Sequence, residues 1–164
     1  MKQLALAYWR RGAAQTSAAG VGGVGEPGGA GGAAGLDETG WKMTASDTFA
    51  DSSPMNMIDG QPSVRWASGI NQFAGMWILL DMAKPQKFSA ITLDSRAWPS
   101  DVGTSYDVYT SLDANFSVPT RRAVVGSATQ VLSFQPAIVA RYLKMVLTSP
   151  HDAWWSVGEL TINR

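Results

Sequence analysis

Residues 56–66 combine oxygen-bearing side chains with turn-forming residues, which is the composition that a hard cation requires. Asp59-Gly60 predicts a tight turn, because an Asp side chain accepts hydrogen bonds from the following main chain and Gly adopts a positive φ. Pro62 fixes a further φ and removes a donor, so the chain wraps here. Such a loop directs carbonyl groups and a carboxylate inward, as calcium requires. An ordinary tight loop has the same composition, so both interpretations stay open.

A second polar loop, residues 94–105, carries groups that suit a sugar. Trp98 lies next to Pro99 among polar residues, where burial explains a large ring poorly. Sugar rings present a C–H face that packs on an aromatic plane, while charged side chains hydrogen-bond the hydroxyl groups. We therefore expect Trp98 to be the platform and Arg96 and Asp101 to bind hydroxyl groups. The alternative is a Trp98 ring folded back on the rim of the domain.

Further candidate sugar ligands lie in the other connections between predicted strands. Residues 46–54, 66–76, 94–105 and 148–154 are expected to form loops at one end of the domain, where binding sites on such folds usually lie. The additional candidates are Asn71, Phe73, His151 and Trp154. Gln72 and Phe73 are equally suited to packing, and His151 precedes the last predicted strand.

The composition limits the classes of function. A chain of 164 residues is long enough for one domain with a core. Its 13 basic and 13 acidic side chains cancel, and no long basic cluster occurs, so we expect no nucleic-acid partner. No apolar run reaches the length of a membrane span. The chain has no Cys and a single His, and it lacks a recognisable catalytic motif, so we do not expect an enzyme.

The amino-terminal part differs from the rest. Residues 12–40 hold 11 of the 17 Gly and few large apolar side chains, which cannot bury enough surface to offset chain entropy. Residues 1–40 are therefore predicted to be a flexible Gly/Ala-rich segment or linker, which implies a neighbouring domain. Residues 1–11 show no convincing secretory signal. The folded domain is predicted to cover residues 41–164.

From Trp41 onward the pattern is that of an all-β domain. Short apolar or alternating runs recur with turn residues between them, and no window has a helical stripe. The predicted strands cover residues 77–82, 88–93, 106–111, 131–134, 141–147 and 156–162. Six or more strands in this length predict a two-sheet sandwich or jelly roll.

The order of landmarks along these strands is that of a known family. They are residues 41–46 (WKMTAS), 56–60 (NMIDG), 65–69 (RWASG), 75–77 (GMW), 80–82 (LDM), 91–94 (ITLD), 106–111 (YDVYTS), 140–145 (ARYLKM) and 154–160 (WWSVGEL). The chain resembles a discoidin domain, also called a coagulation factor 5/8 type C domain. It is most similar to the bacterial branch classed as family 32 carbohydrate-binding modules.

The resemblance implies an eight-stranded jelly-roll β-sandwich that binds a ligand and does not catalyse. Bacterial members typically bind galactose-type or related sugars and are attached to secreted glycosidases, lyases or adhesins. We therefore expect a non-catalytic carbohydrate-binding module that targets an attached protein to a glycan, in a secreted or cell-surface setting. The alternative is an adhesion domain that binds a protein or a phospholipid surface. Animal members usually carry a disulfide, which this chain lacks.

The resemblance also implies a structural calcium ion beside the opening turn. The matching positions are the carbonyl groups of Met57 and Gly158 together with Asp59, Gln61, Val64 and Glu159. Gln61 replaces the usual Asp or Asn, and Val64 replaces a Thr that adds its hydroxyl group, so fewer ligands remain. The alternative is that Asp59 caps its turn while Glu159 forms an ion pair with a cation such as Arg65.

Five further residues are expected to be structural. By resemblance, Arg141 and Asp81 form an ion pair that ties strands together. Trp66, Trp77 and Trp155 lie in strand-like contexts and are expected in the core.

Overall fold

The protein is seen in a computed structural model that describes residues 36–124 and 127–164. Apart from one short 3₁₀ helix, Pro54–Ile58, its regular elements are all strands. The strands are β1 (Lys42–Ala45), β2 (Trp66–Gln72), β3 (Trp77–Asp94), β4 (Ser105–Ser111), β5 (Arg121–Val124), β6 (Thr129–Leu147), β7 (His151–Val157) and β8 (Glu159–Asn163). The all-β prediction is confirmed. Within those ranges no helix has the length and apolar character needed to cross a membrane.

Antiparallel pairing joins the strands into a jelly-roll sandwich. The larger sheet has the order β1-β3-β6-β4-β5, with β8 added along β3, and β2 pairs with β7 in a second sheet. The ladder between β3 and β6 shifts register between Asp81 and Gln86, so the two halves of each long strand have different neighbours. The first half of β3 pairs with β1, and its second half pairs with β8. This arrangement confirms the predicted eight-stranded jelly roll.

Some predicted boundaries are wrong. Residues 77–82 and 88–93 were predicted as separate strands, but both belong to β3. The chain bends between them at Ala83, which has φ 62° and donates its N–H to Asp81 Oδ1 at 2.8 Å. Residues 66–76 and 148–154 were predicted as loops, but most of the first is β2 and the end of the second is β7. Three consecutive buried residues at 66–68 break the alternation by which β2 would be recognised.

The core lies between the sheets and is formed by the residues of each strand that face inward. Trp66 and Trp155 are fully buried and meet edge to face, with ring centroids 5.5 Å apart. Tyr106 stacks on Trp155 at 6.3 Å. The core prediction is confirmed for these two Trp residues. It is wrong for Trp77, which is half-buried because its ring faces outward below the Lys144 ammonium at 5.1 Å.

Asp81 and Arg141 form the predicted structural pair. Arg141 Nε donates to Asp81 Oδ1 at 2.8 Å, and Nη2 donates to Oδ2 at 3.0 Å. The two residues lie on the paired strands β3 and β6, so this two-pronged contact fastens the centre of the larger sheet. Planar guanidinium and carboxylate groups match in this geometry, which strengthens the pair relative to a single contact.

Residues 36–40 contact the sandwich. Leu36 packs against the core, and Gln86 Nε2 donates to the carbonyl oxygen of Asp37 at 3.1 Å. Asp37 also pairs with Lys84. These residues were predicted to belong to the flexible segment; the rest of that segment, residues 1–35, lies outside the described residues.

Candidate functional site

Arg65 lies at the centre of a group of aromatic side chains next to the start of β2. Its Nη1 donates to Asp101 Oδ2 at 2.9 Å and to Ser156 Oγ at 3.2 Å. Its Cζ lies over the Trp98 ring, 5.0 Å from the centroid, and over the Trp154 ring at 5.9 Å. Guanidinium groups favour such positions because the face of an aromatic ring is electronegative. The alternative interpretation of Arg65 as the partner of Glu159 is therefore wrong.

Phe49 extends this group along the surface. Its ring lies 5.1 Å from the Trp154 ring at an interplanar angle of 37°. The main-chain N–H of Phe49 donates to the carbonyl of Ala67 at 2.9 Å, which fixes the 46–54 loop against β2. A Cβ at Gly69 would lie 3.0 Å from Phe49 Cβ, so the absence of a side chain there lets the Phe settle on the strand. We call Phe49, Trp154, Arg65 and Trp98 the Arg65 cluster.

The loop that carries Trp98 and Asp101 is anchored to the junction between β7 and β8. Ser156 N donates to the carbonyl of Asp101 at 2.7 Å, and Gly158 N donates to the carbonyl of Asp94 at 2.8 Å. The buried Ser95 hydroxyl donates to the carbonyl of Ser156 at 2.7 Å. Both ends of the loop are thus bonded to one neighbouring segment. The positions of Trp98 and Asp101 are therefore preorganised, which lowers the entropic cost of binding a ligand.

The structure places the three residues predicted on this loop in different surroundings. Trp98 is half-buried with Arg65 over its ring, so the expectation of a free aromatic platform needs correction. The carboxylate of Asp101 binds Arg65, so its role is to orient that side chain. Arg96 does not join the cluster. Its Nε and Nη2 instead form a two-pronged pair with Asp94, with contacts of 3.0 and 2.6 Å.

The remaining predicted sugar ligands lie on β2, after its end, and on β7. Asn71 pairs with Trp154 across the two strands, which brings the Asn next to the cluster. His151 is exposed and pairs with Gln72. Gln72 is buried and donates Nε2 to the carbonyls of Val102 and Trp154 at 2.9 and 3.0 Å, so its role is packing. Phe73 follows β2 and is 42% exposed.

Arg65 retains N–H donors that a ligand can use. Among the described residues, its Nη1 has protein acceptors, whereas Nε and Nη2 have none. The side chain retains 27% of its accessible surface, so these donors can meet a ligand. Arg65 and Phe49 were missed in the sequence because an Arg before a strand and a Phe in a loop are common. Their significance arises from contacts between segments that are distant in the chain.

Two segments that carry predicted calcium residues, the turn at 59–60 and the start of β8, lie next to each other. Asp59 follows the 3₁₀ helix and accepts the N–H of Gln61 on Oδ1 at 2.8 Å, whereas Met57 is fully buried. Glu159 Oε2 is buried and has no hydrogen-bond partner. Burial, followed by the charge of Asp59, raises the pKa of Glu159 to about 7, although the N–H of Gly60 opposes this shift. The turn and the closing strand therefore lie together, as the resemblance implied.

A cation fits part of this donor set. A partly buried carboxylate with an orphaned oxygen beside a second carboxylate is stabilised by a positive ion. Within the described residues, no three acidic or His side chains come close enough to hold a metal by themselves. Main-chain carbonyls would therefore have to complete any site. Gln61 and Val64 are both exposed, and Val64 has no side-chain oxygen.

Structural comparison finds several sugar-binding domains with the same fold. One is a family 32 carbohydrate-binding module of Clostridium perfringens NanJ, solved with galactose. It matches with a TM-score of 0.64 and 16% sequence identity, and the alignment covers 74% of this chain and 92% of the NanJ module. A second module from that organism, CpGH89CBM32-5 with GalNAc-β-1,3-galactose, has a TM-score of 0.67 and 20% identity and covers 80% and 100%.

A third similar structure comes from a different bacterium. A chitosan-binding module from a chitosanase/glucanase of Paenibacillus sp. IK-5, solved with chitotriose, has a TM-score of 0.59 and 23% identity and covers 75% of this chain and 95% of its own. At these identities, the likeness shows the fold.

Sequence comparison gives a family. No curated protein sequence matches the chain. The family model described as the F5/8 type C domain matches residues 42–160, which include every strand from β1 to β7 and the start of β8. The chain therefore belongs to the F5/8 type C domain family.

Proposed function

We propose that this domain is a non-catalytic carbohydrate-binding module whose glycan site is the Arg65 cluster. One observation carries the proposal: Asp101 holds Arg65 over Trp98 and Trp154, while Nε and Nη2 have no acceptor in the part of the chain that the structure describes. A sugar needs donors for its hydroxyl groups and an apolar surface for its C–H face. Arg65 supplies the donors, and the exposed ring of Phe49 supplies the apolar surface.

The similar structures guide the choice of sugar. Two of them hold galactose or GalNAc-β-1,3-galactose, and another holds chitotriose. Galactose-type or related sugars are therefore the first ligands to test. Attachment to a catalytic or surface domain and a secreted or cell-surface location belong to the same proposal, because glycans accessible to such modules lie outside cells.

Binding of these three sugars to the wild-type domain and to Arg65→Ala tests the site. Isothermal titration should show binding by the wild type and a loss of about tenfold or more in the variant, because charge-assisted hydrogen bonds and ring contacts disappear together. Arg122→Ala is the matched control, since Arg122 is 81% exposed and pairs with Asp107 on another part of the sandwich. Equal affinity of the wild type and Arg65→Ala would refute the site.

A calcium ion is part of the proposal as a structural element. Asp59 and Glu159 would supply carboxylate oxygens, and Met57 and Gly158 would supply main-chain carbonyls. Bound calcium would offset both the burial of the Glu159 carboxylate and its repulsion by Asp59, the two causes that raise the pKa of Glu159. Its role would be to fasten the turn after the 3₁₀ helix to the beginning of β8.

A second candidate function is adhesion to a protein or phospholipid surface. Phe49, Ile70 and Phe73 are each between 42% and 47% exposed on or beside β2, and exposed apolar side chains of this size suit such contacts. Sedimentation with phosphatidylserine vesicles separates the two functions. Vesicle binding that is abolished by Ile70→Ser and Phe73→Ser but unaffected by Arg65→Ala would favour adhesion.

A further inference from the structure

A cavity of about 350 Å³ lies beside the loop that carries Trp98. It is lined by Pro62, Ser63, Asp94, Arg96 and Ala97. It is shallow and open to solvent, and its volume is at the lower end of the range of small-molecule sites in proteins. None of these five residues belongs to the Arg65 cluster, so the cavity is a separate feature of the surface.

Gly158 connects the cavity to the cluster. A Cβ on Gly158 would lie 2.5 Å from the carbonyl oxygen of Pro62, 3.1 Å from that of Asp94 and 3.1 Å from Trp98 Cζ3. Two residues that line the cavity, Pro62 and Asp94, and the ring of Trp98 therefore all lie close to Gly158, which has no side chain. Ala97, a third wall, immediately precedes Trp98 in the chain. The cavity and the Arg65 cluster are consequently neighbours, because Pro62, Asp94 and Trp98 all approach Gly158.

The walls of the cavity carry the groups that a polyhydroxylated ligand requires. Arg96 donates to the Asp94 carboxylate through Nε and Nη2, so the charges of the two side chains cancel at the wall of the cavity. Among the described residues, Arg96 Nη1 has no acceptor and remains available as a donor. Ser63 adds a hydroxyl group, while Pro62 and Ala97 add small apolar surfaces. Balanced charge with mixed polar and apolar walls favours an uncharged sugar ring over an ion.

We propose that this cavity is a second sugar subsite, so that the domain recognises at least two linked sugar units, one at the Arg65 cluster and the next at the Asp94–Arg96 pair. The inference rests on the proposed function. It assigns Arg96 a ligand-binding role that is distinct from that of Arg65. A monosaccharide would then occupy the Arg65 cluster alone and leave the second subsite empty.

Filling the cavity tests the subsite. Ser63→Trp and Ala97→Trp place a ring in it from two different walls, and both positions are exposed, so the substitutions leave the core intact. Ser117→Trp is the matched control in an exposed loop without this cavity. Titrations would compare galactose with GalNAc-β-1,3-galactose and glucosamine with chitotriose, and melting temperatures would verify folding.

The wild type should bind the longer sugar of at least one pair about tenfold more tightly than the monosaccharide. Both cavity variants should remove that gain while leaving monosaccharide affinity within about twofold, and Arg96→Met should reduce it. A wild type with equal affinity for short and long sugars, or cavity variants that keep the full gain, would overturn the subsite and leave the Arg65 site standing. A wild type that binds none of the four sugars would overturn both.

Discussion

Arg65 and Asp101, separated by 36 positions in the chain, form a contact of 2.9 Å that organises the candidate binding surface. Arg65 immediately precedes β2, and Asp101 lies in the loop between β3 and β4, where the N–H of Ser156 on β7 donates to its carbonyl. The Asp101 carboxylate thus fixes the orientation of the Arg65 guanidinium, which lies over the two Trp rings. The contact links three segments of the sandwich and makes the orientation of Arg65 a property of the fold.

Replacing Asp101 with Asn should weaken sugar binding about tenfold, because Arg65 loses its charged partner and is free to rotate away from Trp98 and Trp154. Titration with galactose and GalNAc-β-1,3-galactose measures the effect. Asp107→Asn is the control, since it removes an equivalent carboxylate from the pair with Arg122. An Asp101→Asn domain that binds as tightly as the control would show that the contact between Asp101 and Arg65 has no role in binding.

The two tryptophans Trp155 and Trp98 should respond differently to truncation. Trp155→Ala leaves a cavity between Trp66 and Tyr106 and should destabilise the fold by about 3–5 kcal/mol. Trp98→Ala removes a half-buried ring at the surface and should abolish most sugar binding with a much smaller change in stability. Urea denaturation together with glycan binding distinguishes the two effects. Comparable unfolding free energies for the two variants would contradict the assigned positions.

Glu159→Gln should raise the melting temperature in the presence of a chelator, because it removes a partly buried charge that Asp59 repels. Excess calcium should raise the melting temperature of the wild type and leave that of Glu159→Gln nearly unchanged, since ligands that bind the folded state stabilise it. Differential scanning calorimetry with calcium or chelator provides both measurements. If the wild type melts at one temperature in both buffers, the proposed structural calcium is wrong.

Asp81 should make stability sensitive to acid. The hydrogen bond from Arg141 lowers the pKa of Asp81 from its usual 3.8, so the carboxylate is more acidic in the folded state than in the unfolded state. The resulting stabilisation is present above the unfolded pKa and disappears as pH falls through the lower, folded value. Asp81→Asn should therefore reduce the melting temperature by roughly 2–4 °C at neutral pH.

The difference between wild type and Asp81→Asn should shrink as pH falls from about 4 to about 2, because the wild-type carboxyl group then becomes neutral too. Melting curves over this range provide the measurement. A difference that stays constant with pH would mean that the ion pair does not account for the effect.

Much of the core was predictable because its strands follow regular alternation. Tyr106 and Val108 in β4, and Leu143, Met145 and Leu147 at the end of β6, are buried apolar residues two positions apart, so the inward face there can be read from spacing alone. In β2 the pattern fails, because Trp66, Ala67 and Ser68 are all buried and a bulge interrupts its pairing with β7. The loop boundaries at 66–76 and 148–154 were consequently wrong.

By itself, the sequence determined the fold class and the order of family landmarks, because both depend on residue type and spacing along the strands. The structural pair Asp81–Arg141 followed from the resemblance that those landmarks carry. Tertiary structure alone decided the composition of the Arg65 cluster. Its members come from four segments that closure of the sandwich brings together, and Gly69 and Gly158 permit the close approaches of Phe49 and Trp98. A residue such as Arg65 is ordinary in the chain and becomes distinctive when Asp101 fixes it over two rings.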